Sequence, residues 1–310
     1  MSSALVLGDR GSGLTTFVGL LYTAQVRLGI EEADEFRFSA DRESIRRIGT
    51  IYGSLVDGRF PEADADWELH PLSFIFGYRR GGLSSLAHRT VSEDGEFDTV
   101  RVQVGGIPAE EVAELNSHDA VLDRQTRGLL RSPVVIPLVD ASWLAVDPKA
   151  IDGLPMARYD QVLANTLVLL GKFLAAEPDK RARRMYPLFV VTKFDRVPRG
   201  SLRKLESPST PPVAWSTDER EMLGQRLLDR YLPKTSQALA KKGNGSILHD
   251  SPAWFFSGLK TEDREGETRI ARRERPPLGG WEPDFPYEEY RALLLHLGQL
   301  AHRLPDEIEA

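Results

Sequence analysis

The chain has 310 residues with 40 basic and 46 acidic side chains, a net charge of −6, which makes a nucleic-acid backbone a poor expected partner. Its lack of cysteine excludes disulfides, thiolate metal sites and a cysteine nucleophile. Apolar residues at 41% and charged residues at 28% fit an ordinary globular chain, long enough for one large domain with insertions or two small ones, and no apolar run reaches the roughly 18–20 residues of a membrane span.

The start, "MSSALVLGDRG", has no charged leader and enters a strand at once, so a signal peptide is not expected and a cytoplasmic location is. Residues 4–7 predict a buried strand ending at Gly8. Over 15–28 the apolar positions Phe17, Val18, Leu20, Leu21, Ala24 and Leu28 recur at helical spacing, and Gly29 follows as a stop signal. A short strand is expected at 35–40 and a helix over 41–55. Segments 69–80 and 98–106 alternate as strands, and the polar stretch between them suits an antiparallel hairpin. Residues 107–130 read as a loop and helix. "SPVVIPLVDAS" (132–142) is a continuous apolar strand of the kind buried on both faces. A long helix over 156–176, a buried strand over 186–195, a helix over 217–242, a buried strand over 252–259 and a final helix over 287–303 complete the pattern. The segments 196–217 and 260–286 read as long loops. Strands alternating with helices predict an α/β protein of three layers, α/β/α, with a mostly parallel sheet and one antiparallel strand pair.

Chemistry concentrates first in "LVLGDRGSGLTTFVGLL" (5–21). A strand, a glycine-rich turn and a helix in that order form a phosphate-binding loop of the pattern G-x-x-x-x-G-K-[ST]. Gly8, Gly11 and Gly13 let the backbone curl so that successive N–H groups face an anion, with Ser12 between them. The helix that follows adds its positive end. Thr15 stands where the Mg²⁺-holding hydroxyl belongs, and Thr16 is placed to touch the first phosphate. Leu14 occupies the lysine position. Losing that contact costs on the order of 1.5–3 kcal/mol, so binding weakens by tens- to hundreds-fold without vanishing. Arg10 lies inside the loop and could compensate, although a solvated side chain is its plainer reading.

"FVVTKFD" (189–195) supplies a second signature. It has the form [NT]-K-x-D at the end of a buried strand. Asp195 there could accept hydrogen bonds from N1–H and the 2-amino group of guanine, donors that adenine lacks, and such an asymmetry discriminates strongly. Thr192 and Lys193 complete the motif, with the Lys193 stem along the base plane. "WFFSGL" ends another strand in Ser257 and Gly258, where a backbone amide would meet the guanine oxygen.

These three pieces, in this order, resemble a P-loop GTPase of the translation-factor-like class, which includes Ras-like proteins. The resemblance spans 1–310 as a single P-loop NTPase domain, with insertions at about 31–65, 80–97 and 196–250. A narrower similarity is to bacterial GTPase-like proteins that carry D-x-P-G-E in place of D-x-x-G, some of which occur as paired double-GTPase components of defence-associated systems. The resemblance implies GTP or GDP as cofactor and a protein partner, a related active GTPase being one expectation. The net charge and the lack of a long apolar run, rather than the resemblance, lead to the expectation of no nucleic-acid partner and no membrane.

The pattern also departs from that family. Where D-x-x-G is expected the chain reads "GGIPAEE", with Gly106 for the aspartate and Ala109 for the glycine, while Ile107, Pro108 and Glu110 remain. The segment "DGRFPEADAD" (57–66) lacks the switch threonine and offers Ala63, Asp64 and Asp66. Phosphoryl transfer depends on positioning and on neutralising charge at the transferring group, and one such donor is worth roughly 10²–10³ in rate. The base-facing half is kept and the γ-phosphate-facing half is not, which predicts a pseudo-GTPase with little or no hydrolysis, acting as a switch or scaffold, and no firm hold on Mg²⁺. Two alternatives stand beside it: an active NTPase using an unorthodox lysine, Lys172 or Lys193, and an interaction module that binds no nucleotide.

Overall fold

The computed structural model describes residues 2–8, 11–32, 36–62, 72–79, 97–104, 131–145, 154–175, 184–198, 200–201, 215–240, 248–249, 251–264, 266–275 and 279–301. The expected helix within 107–130 lies outside the described residues, as do Arg10, Ala63, Asp64, Asp66 and the stretch from Gly106 to Glu110.

Strand β1 (Ser2–Leu7) leads through the glycine-rich turn into helix α1 (Leu14–Glu31). Strand β2 (Phe36–Ala40) and helix α2 (Arg42–Val56) follow. Asp41 fixes the start of α2: its carboxylate accepts from the Ser44 N–H at 2.8 Å and the Ser44 hydroxyl at 2.7 Å. Strands β3 (Leu72–Arg79) and β4 (Phe97–Val104) are antiparallel, as their alternation predicts. Next come β5 (Val134–Asp140), a 3₁₀ turn (Ala141–Ala145), α3 (Leu154–Ala175) and β6 (Arg184–Thr192). A 3₁₀ turn (Phe194–Arg196), α4 (Thr217–Tyr231), α5 (Pro233–Ala240), β7 (Leu248–His249) and β8 (Ala253–Phe256) lead to the C-terminal third. There β9 (Thr261–Arg264) pairs with β10 (Glu267–Ile270), β11 (Arg272–Glu274) pairs with β12 (Trp281–Pro283), and α6 (Tyr287–Ala301) follows.

The main sheet runs β2-β3-β4-β1-β5-β6, with β7 and β8 both on the far side of β6. Strands β4, β1, β5, β6, β7 and β8 are mutually parallel. Because successive side chains of a strand point to opposite faces, the sheet supports two cores. Ala4 and Val6 of β1 join one with α1, α2 and α6, while Leu5 and Leu7 join the other with α3 and α4. The molecule is thus a mixed α/β protein with helices on both faces of the sheet.

Three details differ from expectation. β3 is antiparallel to β2 as well as to β4, and two small antiparallel pairs lie outside the main sheet, so the single antiparallel pair expected is an undercount. The helix expected over 217–242 is two, because Pro233 has no N–H to continue the ladder and opens α5 instead. The long loop expected at 260–286 folds into the two hairpins, stapled by the Ile270 N–H donating to the Gly58 carbonyl at 2.9 Å and the Asp284 N–H donating to the Ala271 carbonyl at 2.8 Å.

Candidate functional site

The glycine-rich turn is built as its sequence predicts. Gly11 and Gly13 have φ of 83° and 84°, in the left-handed region that glycine enters without steric cost. Gly8 serves by close approach: a Cβ there would lie 2.7 Å from Ser12 Oγ. Ser12 is fully buried and its hydroxyl has no hydrogen-bond partner among the described residues. Leu14, at the lysine position, is buried in the core that α1 shares with the sheet. Its side chain anchors the first turn of α1. Thr15 is partly buried in that same turn.

The T-K-F-D segment packs directly against this loop. The Thr192 hydroxyl donates to the Ser12 carbonyl at 2.6 Å. The Lys193 ammonium donates to the Gly11 carbonyl at 2.6 Å and to Asp140 Oδ2 at 2.6 Å. Asp140 ends β5 and is buried; its other oxygen accepts from the Ser142 N–H at 2.8 Å and the Ser142 hydroxyl at 2.6 Å. Lys193 has φ 53° and is the one non-glycine residue with positive φ among the described residues. A lysine in the left-handed region costs about 1–2 kcal/mol, and the turn is held there by the Phe194 N–H donating to the Ser257 carbonyl at 2.9 Å and the Arg196 N–H donating to the Lys193 carbonyl at 2.9 Å.

Ser257 continues β8 past its last strand residue, its N–H donating to the Val191 carbonyl at 2.8 Å. This brings Gly258 against Asp195, where a Cβ would lie 2.8 Å from Asp195 Oδ1. The same oxygen accepts from the Leu259 N–H at 3.1 Å. The carboxyl is open on its cavity side, yet the protein packed around it pushes its pKa above the ordinary aspartate range, against the pull of the Leu259 N–H, Arg196 and Lys193.

These parts surround one open cavity of about 540 Å³, its solvent-filled mouth included. Gly13 and Thr16 of the glycine-rich turn and α1 line it together with Thr192, Lys193, Asp195, Ser257 and Gly258, and a Cβ on Gly13 would lie 3.7 Å from the Thr192 side chain. The remaining loop residues, Gly8, Gly11, Ser12, Leu14 and Thr15, do not line it and form the turn behind. Lys172 is exposed in the last turn of α3, away from the lining. For a divalent cation the described residues give Thr15 but no cluster of three or more acids or histidines, and Asp195 is the one acid in the lining.

Among solved structures the chain is similar to the signal recognition particle receptor SRb-GTP/SRX complex from Chaetomium thermophilum, at 16% identity over 83% of this chain and 90% of that one, with a TM-score of 0.34. So loose a superposition assigns no residue and no activity. No protein-family model matches the chain, and neither does any curated protein.

Several residues of the site were not legible as such in the sequence. Phe17, Leu20, Phe60, Arg196, Leu259 and Thr261 also line the cavity. Phe17 and Leu20 read correctly as core positions of α1, and nothing in their spacing marks a ligand. Phe60 carries a faint signal: it is 39% exposed, and a large aromatic left open beside a cavity is a contact waiting to be covered. Asp140 had a clearer one, since an acid that closes an all-apolar strand needs a buried partner.

Proposed function

We propose that this cavity takes a guanine nucleotide and that the chain is a degenerate member of the GTPase-like P-loop proteins, working as a switch or scaffold with a protein partner and hydrolysing little or no GTP. One observation carries the reading. Asp195, the acid suited to N1–H and the 2-amino group of guanine, lines the same cavity as Gly13 and Thr16 of the phosphate loop. A base read by Asp195 and phosphates held at the glycine-rich turn would then share this one cavity. The loop amides and the start of α1 would hold phosphate oxygens without a side-chain cation. The nucleotide would supply the charge and bulk that distinguish loaded from empty protein.

The missing lysine is not replaced by Lys193. Its ammonium is engaged by Gly11 and Asp140, and moving it to a phosphate would strand a buried carboxylate. That counts against the working-NTPase alternative, as does the exposed position of Lys172. The loss of D-x-x-G and of the switch threonine remains a reading of the sequence at Gly106, Ala109 and Ala63.

Titration of nucleotide-stripped protein with GTP, GDP and ATP, with and without Mg²⁺, tests the proposal. GTP and GDP are expected to bind with similar affinity and weak Mg²⁺ dependence, and ATP at least about tenfold more weakly. Equal binding of ATP, no binding of any nucleotide, or multiple-turnover GTP breakdown would each defeat it.

A further inference from the structure

We propose that Tyr290 is a positioning residue that sets the geometry of the Asp195 turn from beneath, and so sharpens the preference for guanine; this rests on the nucleotide reading above. Glu289 and Tyr290, neighbours on α6, grip two successive residues at the end of β8. Among the described residues strand β8 pairs with β6 alone, so the outward N–H of Phe256 needs another acceptor. Glu289 Oε2 provides it at 3.0 Å, while Oε1 is held by Arg220 Nε at 2.9 Å and Nη2 at 2.8 Å. The Glu289 side chain is only 1% exposed, so its place is fixed. One residue on, the Tyr290 hydroxyl meets the Ser257 hydroxyl at 2.5 Å.

Tyr290 is buried, with its ring 5.8 Å from that of Phe17 and 5.4 Å from that of Phe285. A phenylalanine would fill that volume equally well. A buried hydroxyl needs a partner, and Ser257 Oγ is the partner found among the described residues. Burial holds the phenol protonated, and the nearby charges of Asp195 and Glu289 act in the same direction, against the bond to Ser257. From Ser257 the chain passes through Gly258, packed on Asp195, to Leu259, whose N–H donates to the Asp195 carboxylate. Tyr290 does not line the cavity; it acts through Ser257. Without the bond, Ser257 can turn, and the amide that fixes Asp195 loses its fixed position.

Two measurements on Tyr290→Phe separate the positioning from its use. The first needs no nucleotide: hydrogen exchange at the Leu259 amide should quicken about five- to tenfold, with the amides of β6 unchanged. Unchanged exchange at Leu259 overturns the positioning. The second compares GDP, IDP and ADP. GDP, the only one with a 2-amino group on N1-protonated base, should weaken about five- to tenfold, with ADP unaltered and IDP altered less. Equal weakening of all three, as a purely structural defect would give, overturns the specificity role. Wild-type protein that ignores guanine fails the nucleotide reading and with it the specificity role, while the exchange result still decides the positioning. Ser257→Ala provides a second variant: it should match Tyr290→Phe, and the double variant should be no worse than either alone.

Discussion

The ammonium of Lys193 lies 2.6 Å from the carbonyl oxygen of Gly11, 182 positions earlier in the chain. With the bond from Thr192 to Ser12, it clasps the glycine-rich turn to the turn that carries Asp195. Asp140 completes the clasp from β5.

Removing the lysine leaves a buried carboxylate with Ser142 as its remaining partner. Lys193→Met is therefore expected to lower the unfolding free energy by about 1–3 kcal/mol, less than for a fully buried pair because the lysine side chain is 28% exposed. Adding Asp140→Asn should restore part of the loss. Urea unfolding of the two single variants and the double gives the coupling, and strictly additive losses would show that the pair contributes nothing.

Asp195 gives opposite pH trends for binding and for stability. Its folded pKa is raised, with burial the leading cause, so the folded chain holds this proton more tightly than the unfolded one. Its contribution to stability is then largest at acid pH and falls as pH rises through the interval from the ordinary aspartate value to the raised one. Guanine recognition needs the ionised form, so GDP affinity should rise through the same interval. Asp195→Asn should abolish both trends at this site and weaken GDP about tenfold or more, with ADP unchanged. Fluorescence titration and thermal melts across acid pH would show it, and parallel trends would contradict the assignment.

Gly258→Ala probes the contact between the Asp195 turn and the end of β8. The added methyl would meet Asp195 Oδ1 at 2.8 Å, closer than real carbon atoms approach, so the carboxylate must swing away. The backbone at Gly258 does not have positive φ, so no strain in the chain itself is added. The expected outcome is a loss of guanine affinity of about tenfold with a change of melting temperature of only a few degrees. Unaltered GDP binding would show that Asp195 is not the base-reading group.

Leu14→Lys restores the sequence of the phosphate loop but not its environment. Leu14 opens α1 and is packed in the core, so the change removes about 1.5–3 kcal/mol of apolar burial and forces the new ammonium outward. Free protein should melt at a lower temperature than wild type. GDP should bind more tightly than to wild type, and saturating GDP should recover much of the stability. Calorimetry with and without nucleotide checks both parts; a variant as stable as wild type without ligand would show that Leu14 contributes little to the core.

Much of the frame was legible because it is local. The alternation of β3 and β4, the helical spacing from Phe17 to Leu28 and the apolar runs of β5 and β6 each report the face a segment must bury. The T-K-F-D turn and the glycines of the loop were legible because each needs a particular residue at a particular place. The break at Pro233 was also written in the sequence, since proline cannot continue a helix, although residues suited to a helix lie on both sides of it. The hairpins of 260–286 were not legible. Thr261 to Arg264 is fully exposed, so β9 has no buried face to impose an alternation.

The sequence by itself determined most of the main-sheet strands and the long helices, the curl of the loop at Gly11 and Gly13, and the kind of chemistry Asp195 can do, because these follow from backbone sterics, hydrophobic period and functional groups. Only the tertiary structure decided that Leu14 turns into the core, that Lys193 is engaged by Asp140 and Gly11, that Phe60 and Thr261 reach the cavity, and that Tyr290 stands under Ser257. The hydrogen bonds among those facts join residues from 33 to 182 positions apart. Contacts over such separations are fixed by how strands order in the sheet and which faces the helices cover, and no local pattern encodes either.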